Sequence, residues 1–171
     1  MAKLLYVPNP FLRQKAEKVE SVGENEIKIA NQMKKIMLDA PGVGLAANQI
    51  GILKQIITIF FLDQKTKKEV QYNLYNPKIL SYSNETIIME EGCLSLPEQF
   101  AEIERPKKIS LEYLNDKNKL VKKEISGVEA RILQHEIDHL SGKLFVDYLS
   151  SLKRNIMIKK VQKYLKNNAN E

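Results

Sequence analysis

The chain has 171 residues, 43% of them apolar, and its 27 lysines and arginines against 21 aspartates and glutamates give a net charge of +6. That length is near the usual domain size and can bury a substantial core, so one domain over 1–171 is expected. A single cysteine excludes an internal disulfide framework, and no stretch approaches the roughly 20 apolar residues of a membrane span. With no apolar run of signal-peptide type at the N-terminus, a reducing, cytoplasmic compartment is expected.

Pro8 and Pro10 punctuate the first segment, so Met1 to Arg13 is expected to lie over the body of the domain. Ile27, Ala30, Met33, Ile36 and Met37 recur at helical spacing between Glu24 and Asp39, and Pro41 ends the amphipathic helix they define. Gly42 and Gly44 open a loop through Gln49. It lacks the further glycine and the lysine of a nucleotide loop, which argues against phosphate binding. β-branched and aromatic residues make Ile56 to Leu62 and Val70 to Tyr75 a hairpin around the polar Asp63 to Lys68. Asn76-Pro77 then interrupts, and Ile79 to Met89 resumes as strand. Further strands are expected at Phe100 to Glu104, Ile109 to Leu114 and, after the Asn115 to Asn118 turn, Leu120 to Ile125.

Ser126-Gly127-Val128-Glu129 has the pattern of a capping box, and Val128, Ile132, Leu133, Ile137 and Leu140 continue at helical spacing until Gly142 supplies a stop. Strand after strand followed by a helix points to α+β: antiparallel β-sheets around this central helix, with an N-terminal helix and a basic C-terminal one at about 149–167. From Lys143 onward seven basic residues stand against Asp147 and Glu171, so +5 of the total +6 lies in this tail. Leu149, Leu152, Ile156, Val161, Tyr164 and Leu165 give it an apolar face. The helix is either a solvated face or a surface for an RNA-rich or acidic partner; neither a membrane nor specific DNA binding is expected.

The chemistry concentrates in Gln134-His135-Glu136-Ile137-Asp138-His139-Leu140. Two histidines four residues apart lie on one side of a helix, so both imidazoles can reach one cation, with Glu136 beside them to take a proton. The alternative is a core helix whose histidines merely hydrogen-bond. Against it, these two are the only histidines in the chain. A catalytic metal keeps three protein ligands and an open position, so the third ligand decides the class. In one large protease group it is a third histidine beyond a glycine, but after Gly142 that place is taken by Phe145. Asp147 and Glu171 are the only later acids and are poor candidates. The remaining soft ligand is Cys93, in Glu90-Glu91-Gly92-Cys93-Leu94-Ser95-Leu96-Pro97. A lone cysteine is more often an inert buried residue; Gly92, Pro97 and the two glutamates weaken that reading here.

The sequence resembles the peptide deformylases in three places. Gly42-Val43-Gly44-Leu45-Ala46-Ala47-Asn48-Gln49 is similar to that family's first motif, Glu91-Gly92-Cys93-Leu94-Ser95 to its second, and Gln134-His135-Glu136-Ile137-Asp138-His139 to its third, in the same order and spacing. Pro10-Phe11-Leu12-Arg13 and Leu140 to Leu152 extend the likeness over nearly the whole chain. The resemblance implies removal of the N-formyl group from N-formylmethionyl peptides. It implies Cys93, His135 and His139 as ligands of one divalent metal, ferrous iron in cells with zinc, nickel or cobalt as substitutes. Glu136 becomes the acid–base group, and Gln49 and the Leu94 N–H the oxyanion donors. Val43, Met89, Val128 and Ile132 would line a methionine pocket, and Gly44 and Gly92 would lie along the peptide backbone. The ribosome becomes the partner of the basic helix, and Arg105 would pair with Glu91 to brace the cysteine loop. Phe100 stands where many bacterial members carry arginine, and Arg131 where some carry an apolar residue. A catalytically silent ribosome-binding relative and a metallopeptidase are the alternatives.

Overall fold

The structure, a computed structural model, describes residues 3–168. Met1, at the start of the covering segment, and Glu171, at the end of the basic tail, lie outside them. In chain order the elements are α1 (Glu24–Asp39), β1 (Gly44–Ala46), β2 (Ile56–Leu62), β3 (Glu69–Tyr82), β4 (Thr86–Cys93), β5 (Leu96–Pro106), β6 (Lys108–Leu114), β7 (Leu120–Ser126), α2 (Gly127–Leu140) and α3 (Ser151–Asn168). Strands β1-β2-β3-β6-β7 form one sheet and β4-β5 a separate ribbon, with every ladder antiparallel. The α+β class expected from element order is the one observed.

Three apolar clusters hold these layers. Ala130, Leu133 and Leu140 of α2 pack on Ile57, Ile59, Leu74 and Leu111 of the five-stranded sheet. Ala30, Met33 and Met37 of α1 pack on Leu45, Ile56 and Tyr75. Val161 of α3 joins Val7, Leu12, Leu96, Ile103 and Phe145. The N-terminal segment is stitched over the body as expected: Leu5 N–H donates to the Gln49 carbonyl at 2.7 Å and Val7 N–H to the Ser95 carbonyl at 3.0 Å. Both acceptors flank residues of the candidate site.

Three local expectations are corrected. Asn76-Pro77 does not break the strand: β3 runs through to Tyr82, with a register shift between Tyr75 and Lys78 and a left-handed φ of 51° at Asn76. The Asn76 carboxamide leaves the sheet to bond both the N–H and the carbonyl of Val19, each at 2.8 Å. A bulge also tolerates the proline, which has no N–H to lose. The chain turns instead at 83–85, where Ser83 Oγ bonds the Glu85 carbonyl at 2.8 Å. Ser126 precedes α2 without a side-chain cap, and the Glu129 carboxylate turns to Tyr72 and Lys123 instead of reaching back to the Ser126 N–H. Finally, α3 begins at Ser151 and reaches Asn168 rather than spanning 149–167. Leu152 and Ile156 are 70% and 45% exposed, since they lie well round the helix from Val161, and Met157, Ile158 and Leu165 take the packed face instead.

Candidate active site

Two elements bring the three candidate ligands together. α2 carries His135 and His139 one turn apart. Cys93 ends β4 just before the two-residue turn Leu94-Ser95. Pairing there shifts from Gly92↔Phe100 to Cys93↔Leu96, so Pro97, Glu98 and Gln99 bulge out and the sulfur faces the helix. The cysteine Sγ and one nitrogen of each imidazole all lie within 4.8 Å of one another. His139 Nε2 is 3.3 Å from the Cys93 sulfur and 3.3 Å from His135 Nε2.

These distances fit a small cation. Nitrogens about 2.0–2.1 Å from one tetrahedral ion stand about 3.3–3.4 Å apart. Burial opposes protonation of His135, but its hydrogen bonds to Cys93 and Glu91 raise its pKa well above the usual value. Burial and then that charged neighbour push His139 well below. The buried Oε2 of Glu136 has no hydrogen-bond partner among the described residues.

Glu91 organises the surroundings. Its Oε2 accepts from His135 Nδ1 at 2.9 Å, which fixes the ring with Nε2 facing His139 Nε2. Arg105 grips it with two bonds of 2.5 and 3.0 Å, the pairing expected from the sequence. Arg131 adds a third contact at 2.8 Å and donates to the Ile103 and Ile87 carbonyls at 2.8 and 2.6 Å. The Arg131 stem lines the cavity, but its head is a buried clamp on both strands of the ribbon. Burial raises the pKa of Glu91, yet His135 and Arg105 outweigh it and hold the carboxyl far below its usual range. Sequence reasoning missed Asp138 and Tyr148, which bond Arg105 Nη1 at 2.8 and 3.2 Å. Asp138 shows as an acid inside the histidine motif, three residues past His135. Tyr148 has no such signal.

Gln49 sits in a short 3-10 turn that follows β1. Its Oε1 accepts from the Ala46 N–H at 2.9 Å, which turns the amide nitrogen to Ser95 Oγ at 3.1 Å and Cys93 Sγ at 3.5 Å. Buried Ser95 is a second residue the sequence did not single out. Leu94 follows Cys93 directly, so its N–H is one peptide unit from the sulfur. Gly44 faces Glu136 so closely that a Cβ would lie 2.5 Å from Oε1. Burial raises Glu136 to about 7, against the lowering influence of charged His135.

Val43, Met89, Val128 and Ile132 surround one cavity of about 1290 Å³ that reaches His135 and Glu136. Gly44 lines a second, of about 620 Å³, which also reaches His135, Glu136 and Cys93; Gly92 and Val43 border both. Phe100 is 59% exposed at the rim, with its ring edge against Gly92. Phe145, in the place of the third histidine of the protease pattern, stacks its ring 6.2 Å from that of His135. It offers no ligand.

The model of the polypeptide deformylase family matches residues 1–155. A peptide deformylase of Pelagibacter ubique (strain HTCC1062) is 47% identical over 166 residues, 96% of this chain and 95% of the relative. One of Phenylobacterium zucineum (strain HLK1) is 43% identical over 164 residues, 96% of each. The crystal structure of peptide deformylase from Ehrlichia chaffeensis matches with a TM-score of 0.93 at 34% identity over 99% of both chains. That from the same organism in complex with actinonin gives 0.90 at 36% identity over 96% of this chain and 97% of the other. With the family model matched over most of its length and relatives this similar, the chain belongs to the polypeptide deformylase family.

Proposed function

We propose that this chain hydrolyses the N-formyl group of peptides that begin with formyl-methionine, releasing formate and a free amine, and that Cys93, His135 and His139 hold the divalent metal it needs. The observation that carries this reading is the convergence of one sulfur and two imidazole nitrogens beside an unpartnered buried carboxylate. A cation held there supplies Lewis acidity, which lowers the pKa of water and polarises a carbonyl. Ferrous iron is the metal proposed in cells, with zinc, nickel or cobalt able to take its place.

Glu136 takes the proton of the attacking water and passes it to the departing amine nitrogen. As the C–O bond forms and the C–N bond breaks, negative charge gathers on the formyl oxygen, and the Gln49 amide and Leu94 N–H donate to it. The Gln49 amide is held for this by Ala46 and Ser95. Val43, Met89, Val128 and Ile132 receive the methionine side chain. Gly44 and Gly92 let the peptide backbone run between β1 and β4 as an added strand. Arg105 and Arg131 hold Glu91, which orients His135.

The test offers anaerobically purified protein three peptides: formyl-Met, acetyl-Met and unblocked. Formate from the first alone is the expected result; cleavage of an internal amide bond, or no formate, overturns the reading. Glu136→Ala should keep its metal by elemental analysis while turnover falls by on the order of 10²–10⁴-fold. Cys93→Ala should lose the metal.

The proposal extends to partner and setting. The chain acts as one catalytic domain, since Leu12 and Phe145 meet in the same apolar cluster. Among the described residues no helix is long and apolar enough to cross a membrane, and an unpaired thiol ligand suits a reducing cytoplasm. The ribosome is the proposed partner of α3, whose outward face carries Lys159, Lys160 and Lys163 beside the exposed Ile156. Deleting the helix would uncover Val161's cluster, so charge reversal at those lysines is the cleaner test. It should weaken ribosome binding and flatten its salt dependence.

A further inference from the structure

Glu129 stands three residues after the N-cap of α2, where a carboxylate ordinarily reaches back to the backbone N–H before the helix. Here it reaches sideways. Its Oε1 accepts from the Tyr72 hydroxyl at 2.5 Å and from Lys123 Nζ at 3.0 Å. The Tyr72 ring is itself fixed, stacked on Tyr113 with 5.7 Å between centroids, and Lys123 Nζ lies 5.0 Å from its centre. Tyr72 faces Ile59 across the β2–β3 ladder. One hydroxyl therefore joins the first turn of α2 to the middle of the five-stranded sheet.

Beyond that hydroxyl, the Lys123 contact and the packing of buried Ala130 on the sheet, the turn has few ties of its own. Ser126 contributes no side-chain cap. Gly127 adopts a left-handed φ of 68° in open surroundings, and its N–H makes a long 3.3 Å bond to the Lys107 carbonyl. Val128, next in the chain and 50% exposed, borders the larger cavity; Ile132 follows one turn later and Glu136 one turn after that. The far end of α2 is different, because Glu91 and Arg105 brace His135 and Asp138. Moving the first turn would reshape the cavity wall while leaving the ligands in place.

We propose that the Tyr72–Glu129 contact is a positioning device that sets the width of the cavity receiving the substrate's first side chain, and thereby its preference for an unbranched apolar one. This rests on the reading of that cavity as the methionine pocket. Tyr72→Phe removes the hydroxyl and keeps the ring. It should raise KM for a formyl-Met peptide roughly fivefold with kcat within about twofold, and narrow the preference for formyl-Met over formyl-Leu and formyl-Phe peptides by a similar factor. Glu129→Gln keeps an acceptor for the hydroxyl and should behave as wild type. Amide exchange at Ala130 and Arg131 should quicken in Tyr72→Phe alone. Unchanged KM, preference and exchange in Tyr72→Phe overturn the proposal, whatever happens to its melting temperature. Failure of the wild-type protein to release formate would instead overturn the assignment of the pocket and the reaction together.

Discussion

Toward the five-stranded sheet, α2 presents Ala130, Leu133 and Leu140 to an apolar surface; toward the β4–β5 ribbon it presents Arg131, His135 and Asp138 to Glu91 and Arg105. The first contact is non-directional and grows with buried area. The second consists of charge-assisted bonds that tolerate little displacement. Binding energy for the fold therefore comes mainly from one face, and the placement of the cysteine sulfur relative to the imidazoles comes from the other. A buried ion cluster contributes little net stability when complete, yet breaking it leaves charges stranded.

The strongest way to break this division is Glu91→Ala. It leaves buried Arg131 with backbone carbonyls alone and Arg105 with Asp138 as its one carboxylate, and it frees the His135 ring, so it should cost about 3–5 kcal/mol in denaturant unfolding. It should also weaken metal binding roughly 10- to 100-fold, measured by competition with a chelator. Leu133→Ala probes the other face. It should cost about 2–4 kcal/mol while metal stoichiometry and affinity stay at the wild-type level. Equal loss of metal in both variants would show that the two faces are not separable.

The smallest effect sharpens the comparison from outside. On α1, Glu26 pairs with Lys54 at 2.8 Å, and that hydrogen bond lowers its pKa from 4.5 to about 2. Its stabilisation is full above 4.5 and disappears as pH falls through about 2. Because Lys54 is partly exposed, Lys54→Met should cost less than about 1 kcal/mol at neutral pH and reduce the fall in stability between those two values, followed by urea unfolding across the pH range. The metal site should not respond.

Much of this was legible in the chain itself, where period and punctuation act locally. Glu24 to Asp39 and Ile56 to Leu62 are helix and strand to the residue. The Cys93, His135 and His139 cluster was legible because ligand chemistry restricts residue types and spacing. What was misread depends on partners distant in sequence. Asn76 looks like a break until Val19 is seen to receive its amide, and Glu129 looks like a cap until Tyr72 claims it. The head of Arg131 finds its acceptors on Ile87 and Ile103, strand carbonyls that no side-chain pattern reveals. Leu152 and Ile156 were assigned to a packed face because apolar periodicity marks a stripe without showing which part of it is covered.

Cys93 ends its strand as the sole thiol of the molecule, pointed at two imidazole rings. A colour-forming sulfhydryl reagent added to the folded protein therefore interrogates a single address. Its rate of modification, compared with and without a chelator, becomes a direct gauge of how much of a preparation is loaded. The same economy carries a liability: one oxidised sulfur removes a proposed metal ligand for which the sequence offers no second cysteine.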